Sequence, residues 1–593
     1  MALAKRICCL FILFLVGIHL SYSRDWAFVL IPVDSAAVSA VGTIPEKFPD
    51  LPEARAWLQN LVPSMQEEGY LAASIDSVAY GDYEIKAYVY AGHQYRWARL
   101  SFSGIPAALW ANMGIAEQEW IGRKLSPKRL TALTTRILNY SENNGYPFAT
   151  VFLDQVQTKE AGVEARLQLD LGNPVNIDTI IIESNNVELY APFLYAYLGL
   201  RPGDPYNESR LRSIRKKIAD LPYLQESQPW KMEFTIGENA LYLYLEPKKA
   251  NQINGLIGLQ PNTEETGKLM LTADVLLNLK NALTYGETIG LLYQQLQYKS
   301  PRFQLNTDWP YLLGTSFGLD GDFELFKRDT TFYRTTLHAG VRYLFNASDY
   351  LRLFYQQNGN RVFSPDLNYI KAHQSLPVDL DVSGKGLGIE YFFSGTDYRL
   401  NPRKGFEGKA ALVGMQRRIS KNDAITGIED GSGFDYGSLY DTLQLQSYQY
   451  RLYGEAAWYK PLWKTVILKL GYHGGYVSGN NLFLNELFQI GGFKLLRGFD
   501  EQSIYVNHYH IATIELRLLL NRNSYLYLFN DNGYTITRHN AINKKDIPIG
   551  FGAGITLETK TGIFSIAFAL GKHEGEGIQF RQTKIHFGYI AYF

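Results

Sequence analysis

The chain has 593 residues, more than one compact core organises, so several domains are expected. Its 58 Lys plus Arg balance 58 Asp plus Glu, which removes any global pull toward nucleic acid or an anionic surface. The two cysteines, Cys8 and Cys9, both lie at the extreme N-terminus, so no disulfide framework is expected in the rest of the chain.

Lys5 and Arg6 precede an apolar run from Ile7 to Leu20, and the small residues Ser21 and Ser23 come next. That is the build of a secretory signal peptide over residues 1–23, with a short membrane anchor as the alternative. Past residue 24 no run of about 18 apolar residues occurs, which argues against an ordinary transmembrane helix. An exported chain of this kind is a soluble periplasmic or secreted protein, or a membrane β-barrel.

From residue 24 to about 250 an α+β pattern repeats three times, over 24–91, 92–171 and 172–249. Each unit reads strand, helix, helix, strand, strand. WAFVLIPV opens the first, RWARLSFSG the second and VNIDTIIIES the third. Gly69-Tyr70 and Gly145-Tyr146 end a helix at equivalent places, and the third unit carries Leu221-Pro222-Tyr223 there. A period of about 75 to 80 residues is too long for a solenoid and suits small domains in series. A single irregular α+β domain is the alternative.

From residue 250 to 593 the helical signal vanishes and period-two runs take over. In HYHIATIELRLLL, Ile514, Leu516, Leu518 and Leu520 face away from Thr513, Glu515 and Arg517. Mid-strand charges on one face and aliphatics on the other fit a wet lumen and a wall facing lipid. About sixteen such runs fall in about 340 residues, a spacing suited to an all-β transmembrane barrel of antiparallel strands. A soluble β-sandwich would alternate similarly. Polar insertions at about 360–383 and 419–442 read as external loops. The chain ends KIHFGYIAYF, with Gly588 and a terminal Phe593 where outer-membrane barrels carry their C-terminal signal.

Three short motifs stand out. IGGFKLLRGF contains Arg497, Gly498 and Phe499; YLFNDNGY contains Phe529, Asp531 and Gly533; NPRKGF contains Asn401, Pro402, Arg403 and Gly405. With the repeat and the C-terminus, they resemble the BamA/TamA-type outer-membrane assembly-factor superfamily, in which POTRA modules precede a bacterial surface antigen barrel. The segments around residues 76–104 and 248–262 look most like the versions found in Bacteroidota. The resemblance implies that Arg497 sits in a loop folded into the barrel and reaches Asp531 on the inner wall. A guanidinium presents a permanently charged planar fork to a carboxylate, and the glycines let the loop backbone lie close to the wall. A solvated external loop with an idle arginine is the alternative.

The resemblance further implies an outer-membrane insertase with its modules in the periplasm. Its partners would be unfolded outer-membrane or secreted clients, outer-membrane lipid, and periplasmic or lipoprotein accessory subunits. A two-partner-type secretion transporter and a passive porin or receptor are the rival functions. Gly255 and Gly258 weaken the first barrel strand (about 252–260), which with the last strand (about 580–593) would form a seam able to open. No nucleotide signature is visible, and neither an enzyme nor a cofactor is expected. His508 and His510 share a strand face with Glu515 nearby, but two histidines without a third ligand read as rim residues rather than metal ligands. Asp320 and Asp322 in LDGDFE read as a turn.

Overall fold

The computed structural model describes residues 25–591, except 161, 185, 262–268, 296–299, 329–331, 347–348, 399–400, 494, 501–502, 540–541, 560–561 and 579. Residues 1–24, which include the segment read as a signal peptide with Cys8 and Cys9, and the terminal Phe593 lie outside the described residues. The chain divides into two compact units. One contains the residues up to Ile177 together with Pro205–Leu211, and the other Asp178–Asp204 with Arg212 onward.

The first unit holds two modules. Module one is built from β1 (Trp26–Pro32), α1 (Ser35–Val41), the short β2 (Lys47–Phe48), α2 (Leu51–Glu67), β3 (Ser74–Tyr80) and β4 (Glu84–Tyr90). Asp50 caps α2 by accepting the Glu53 amide at 2.8 Å. The helix buries Ala54, Leu58, Leu61 and Met65, a single stripe at helical spacing. Module two continues with β5 (Trp97–Gly104), α3 (Ala107–Asn112), α4 (Pro127–Glu142), β6 (Thr150–Lys159) and β7 (Gly162–Asp170). In both modules the first strand runs parallel to the last, β1 beside β4 and β5 beside β7.

The Gly-Tyr positions mark a repeated joint. Gly69 O accepts the Tyr95 amide at 2.8 Å, and Tyr95 O accepts the Leu125 amide at 3.0 Å. About eighty residues on, Gly145 O accepts Val175 at 2.8 Å and Val175 O accepts Tyr206 at 2.9 Å. The helix ends meet at the same places: Glu67 accepts the Lys128 amide, and Asn143 Oδ1 accepts that of Ser209. One backbone arrangement therefore occurs twice within the first unit.

The second unit begins with module three: β8 (Thr179–Ser184), α5 (Ala191–Leu198), α6 (Glu208–Asp220, its first residues to Leu211 belonging to the first unit), β9 (Leu224–Glu226), β10 (Lys231–Phe234) and β11 (Asn239–Pro247). Here too the first strand lies parallel to the last, β8 beside β11. At its end Tyr223 O accepts the Lys248 amide at 2.9 Å, so Pro222-Tyr223 performs the role of the earlier Gly-Tyr pairs.

The rest of this unit is one antiparallel sheet. Its strands are β12 (Gln252–Pro261), β13 (Leu269–Lys280), β14 (Thr288–Gln295), β15 (Arg302–Trp309), β16 (Phe317–Arg328), β17 (Phe332–Leu344), β18 (Tyr350–Val362), β19 (Val382–Ser394), β20 (Gly405–Ile419), β21 (Gln446–Pro461) and β22 (Val466–Ser478). A small hairpin, β23 (Phe488–Ile490) with β24 (Ile504–Val506), stands outside it. The sheet resumes with β25 (His508–Leu519), β26 (Tyr525–His539), β27 (Ile542–Asp546), β28 (Ile549–Thr559), β29 (Gly562–Lys572) and β30 (Lys584–Ala591). These are seventeen segments but sixteen staves, because β27 and β28 both pair with β26, on either side of Ile547-Pro548. Proline has no amide hydrogen to give the ladder, and the strand breaks there. The order runs from β12 to β30. Those two strands come within contact distance, but among the described residues no hydrogen-bonded ladder joins them.

The two faces of the staves are chemically opposite. On β25, Thr513, Glu515 and Arg517 are buried, while Ile514, Leu516 and Leu518 are exposed. Leu353, Leu387 and Leu528 are likewise among the most exposed aliphatics. A sandwich would bury such leucines between its sheets, whereas a barrel wall turns them to lipid. Inside, Arg342 bridges Asp308 and Asp320, and Arg352 bridges Asp320 and Glu390, a charge ladder across β15 to β19. Asp320 and Asp322 therefore lie within β16, pointing inward, and are not in a turn: Asp322 accepts from Gln304 at 2.7 Å. The intervening glycine suggests a turn in the sequence, but Gly318 and Gly321 are simply strand residues whose neighbours fill the space.

Module three rests on the barrel's turns. Phe193 packs beneath Gly286 and meets Tyr311 edge-on at 6.1 Å, while the Tyr190 amide donates to Thr284 O at 2.8 Å. The two long insertions are not simply solvated. Helix α7 (Leu367–His373) and residues 420–445 bury Ile370, Leu380, Ile425, Tyr436 and Tyr440 in one apolar cluster together with Phe483.

Candidate functional site: the inward hairpin

Between β22 and β25 the chain makes a 29-residue excursion, residues 479–507, stiffened by the β23–β24 stem. Its tip carries the RGF motif. Leu496 is fully buried and Arg497, Phe499 and Ile490 nearly so, packed with Tyr509 and Ile511 of β25. The hairpin thus lies against the inner wall.

Arg497 spends its donors on two strands. Nε donates to Asp531 Oδ2 and Nη2 to Asp531 Oδ1, both at 2.8 Å, the parallel fork that fits a carboxylate. The Arg497 amide adds a third bond to Oδ2 at 3.1 Å. Nη1 turns to Glu515 Oε2 at 2.7 Å. Beneath the guanidinium lies the Phe529 ring, with its centroid 3.6 Å away, close enough for a cation–π contact. Asp531 also accepts the Thr513 hydroxyl at 2.8 Å and is 1% exposed. Each charged group brought inside at the tip has a partner, the condition under which burying charge is tolerable.

The glycines let backbones touch. Gly498 has φ +96°, a conformation L side chains rarely adopt. On the wall, a Cβ at Gly550 would overlap Arg497 O, so only glycine leaves room for the tip. Phe499 then packs edge-on against His573 at 5.1 Å. Gly533 donates its amide to Pro548 O at 2.8 Å, beside the break between β27 and β28.

The third motif joins the same network. Glu515 Oε1 accepts Arg517 Nε at 2.8 Å, and Arg517 Nη1 donates to Asn401 Oδ1 at 2.9 Å. Asn401 in turn donates to Arg522 O at 3.1 Å. Pro402 is buried beside it, and the amides of Arg403 and Lys404 cap Asp397, shaping the turn that leads to Gly405 at the start of β20. Glu515 and Arg517 are the residues that connect the motifs, and motif reading does not single them out. Their signal is present in the sequence: two opposite charges two apart on the inward face of one strand.

The tip also reaches the last stave. The Gly498 amide donates to His586 Nε2 at 3.3 Å, the Phe493 ring lies 5.9 Å from the His586 ring, and Lys584 pairs with Asp500 at 2.7 Å. Gly588 sits two residues further along β30, opposite Ser565. Gly255 and Gly258 lie on β12 opposite Val275 and Thr272 of β13.

His508 and His510 do not share a face with Glu515. The separations of seven and five residues are odd, so period two places the histidines on the outer face and Glu515 on the inner one. There His510 Nδ1 meets the Tyr472 hydroxyl at 2.6 Å, and the two Nε2 atoms lie 2.8 Å apart. Among the described residues no group of three metal-ligating side chains occurs.

The Omp85 superfamily domain matches residues 281–589, more than half of the chain. In fold the chain is similar to CdiB from Acinetobacter baumannii, at 12% identity over 92% of this chain and 97% of that one, with TM-score 0.53. CdiB from Escherichia coli aligns at 14% identity over 91% and 97%, with TM-score 0.50. BamA from Haemophilus ducreyi lacking POTRA domains 1–3 aligns at 15% identity over 84% and 100%, with TM-score 0.44. A search of the curated proteins finds no match.

Proposed function

Because this chain belongs to the Omp85 superfamily, we propose that it is an outer-membrane insertase whose modules receive unfolded clients in the periplasm. The observation that carries this reading is the hairpin's reach. One buried tip grips Asp531 on β26 and touches His586 and Lys584 on β30, the stave that approaches β12 without a hydrogen-bonded ladder among the described residues. In lipid, unpaired backbone groups cost several kcal/mol each, so such a border is where a client strand finds partners. The hairpin holds this border in register until a client arrives.

The modules supply the first encounter. In module two β6 is an edge strand, with Phe152 and Val156 exposed along it and Phe148 just before it. An edge of this kind pairs with an extended peptide through main-chain hydrogen bonds, with little demand on sequence. The reading requires no catalytic group and no cofactor; the work comes from the client's own folding free energy.

Depleting the protein and comparing the outer-membrane proteome tests the reading. Loss of many barrels supports it, loss of one exported protein marks a dedicated secretion transporter, and an unchanged proteome overturns both. A disulfide placed between β12 and β30 tests the seam separately: full client insertion with the bond closed would sink it.

A further inference from the structure

The base of the same excursion is fastened independently of its tip. Arg417 on β20 and Glu486, just before β23, form a bidentate pair, with Nε to Oε1 at 2.7 Å and Nη2 to Oε2 at 2.6 Å. Arg417 is 1% exposed and Glu486 5%. Arg417 also donates to Asn480 O at 3.1 Å and Asn481 O at 3.0 Å, both in the excursion, and to the Ser447 hydroxyl of β21 at 3.5 Å. Glu486 accepts further from Gln449 at 3.1 Å and from the Phe483 amide at 3.0 Å, and its carbonyl accepts Arg451 at 2.6 Å. These bonds and those of Arg497 have no side chain in common.

What this pair holds is the cluster of outer loops. Phe483 enters the apolar core shared by Ile370, Leu380, Ile425 and Tyr440. Asn485 donates to Leu380 O at 3.0 Å, the Leu484 amide donates to Val378 O at 3.3 Å, and Asn480 donates to Gln444 at 2.8 Å. Asn422 stitches the two insertions together through Val362 O and Asp381, each at 3.1 Å. The loop cluster is therefore tied to the wall at β20 and β21 through residues 480–486, whereas the tip is tied to β25, β26 and β30.

We propose that Arg417 and Glu486 are positioning residues of a second lock, which keeps the loop cluster seated over the lumen and closed to solutes while the hairpin tip is released. The two fastenings act on different walls, so the tip can leave Asp531 without unseating the cluster. This inference concerns solute passage and stands whether the clients are barrels or secreted proteins.

Single-channel recording of the purified full chain in planar bilayers tests it, with heat-modifiable gel mobility reporting that the barrel is folded. Arg417→Met keeps much of the side-chain volume but removes the fork, and open probability is expected to rise at least about tenfold, the shift that about 1.4 kcal/mol of lost holding produces. Asn485→Ala leaves the ion pair intact and cuts the tie to Leu380; it is expected to act in the same direction. Asp531→Asn releases the tip and is expected to raise open probability less than either base variant does. A folded Arg417→Met or Asn485→Ala protein that conducts like wild type overturns the proposal, as does an Asp531→Asn protein that opens as readily as either. If Arg417→Met fails to fold, Asn485→Ala decides alone.

Discussion

Replacing Arg497 by alanine isolates the contribution of the tip. The guanidinium makes three charged bonds, two to Asp531 and one to Glu515. Without it Glu515 retains Arg517, but Asp531 keeps only two neutral donors, the Thr513 hydroxyl and the amide of residue 497. Orphaning a buried carboxylate costs about 3–5 kcal/mol, against about 0–1 for an exposed pair. Arg497 is still 8% exposed, so the lower end applies, and about 3 kcal/mol lowers the docked-to-released ratio by about a hundredfold. Leu496 provides the probe position, because it is fully buried when the tip is docked and the sequence has no cysteine after Cys9. In a Leu496→Cys background, maleimide labelling is expected to run about a hundredfold faster with Arg497→Ala. Arg497→Lys is expected to behave nearly as badly, since a single ammonium does not span Asp531 and Glu515 as the fork does. A labelling rate within about threefold of the parent, under about 0.7 kcal/mol, would refute the ionic account and leave the apolar contacts of Leu496 and Phe499 as the holding force.

Named contacts elsewhere give three further expectations. Gly550→Ala drives a methyl into Arg497 O; overpacking of this kind costs about 1–3 kcal/mol, so labelling in the same Leu496→Cys background should rise about tenfold with every charge in place. Phe193→Ala removes the ring packed beneath Gly286 and against Tyr311, at about 3–5 kcal/mol of packing; amide exchange over residues 281–287 should accelerate while β25 and β26 are unchanged. Asp430, in an outer loop, accepts from Ser432 and Tyr436, which hold its pKa down to about 2 from 3.8. A depressed carboxylate contributes stability that is present above the unfolded value of 3.8 and lost as pH falls through about 2. Protease sensitivity of residues 428–436 should therefore rise between about pH 4 and pH 2, and Asp430→Asn should abolish that transition.

Period-two alternation is enough to read the strands and their two faces. An inward charge and an outward leucine on the same strand, such as Glu515 and Leu516, have no other cheap arrangement in lipid. The strand–helix–helix–strand–strand repeat is equally legible, because helix caps such as Asp50 and stripes such as Leu58, Leu61 and Met65 act within a few residues. What escapes such reading is which side chains meet across the lumen. Arg497 lies 34 residues from Asp531 along the chain, Arg517 lies 116 from Asn401, and Arg417 lies 69 from Glu486. Strand periodicity assigns a face to each of the strand residues among these, but their partners depend on where the excursion folds back. The outer insertions show the same limit: their polar residues suggest solvated loops, while Ile370, Ile425, Tyr440 and Phe483 are too sparse in sequence to signal a core. Local chemistry decided faces and elements. Pairing across the barrel was decided only by closure of the fold, because burying a charge is tolerable solely where the opposite wall supplies its counter-charge.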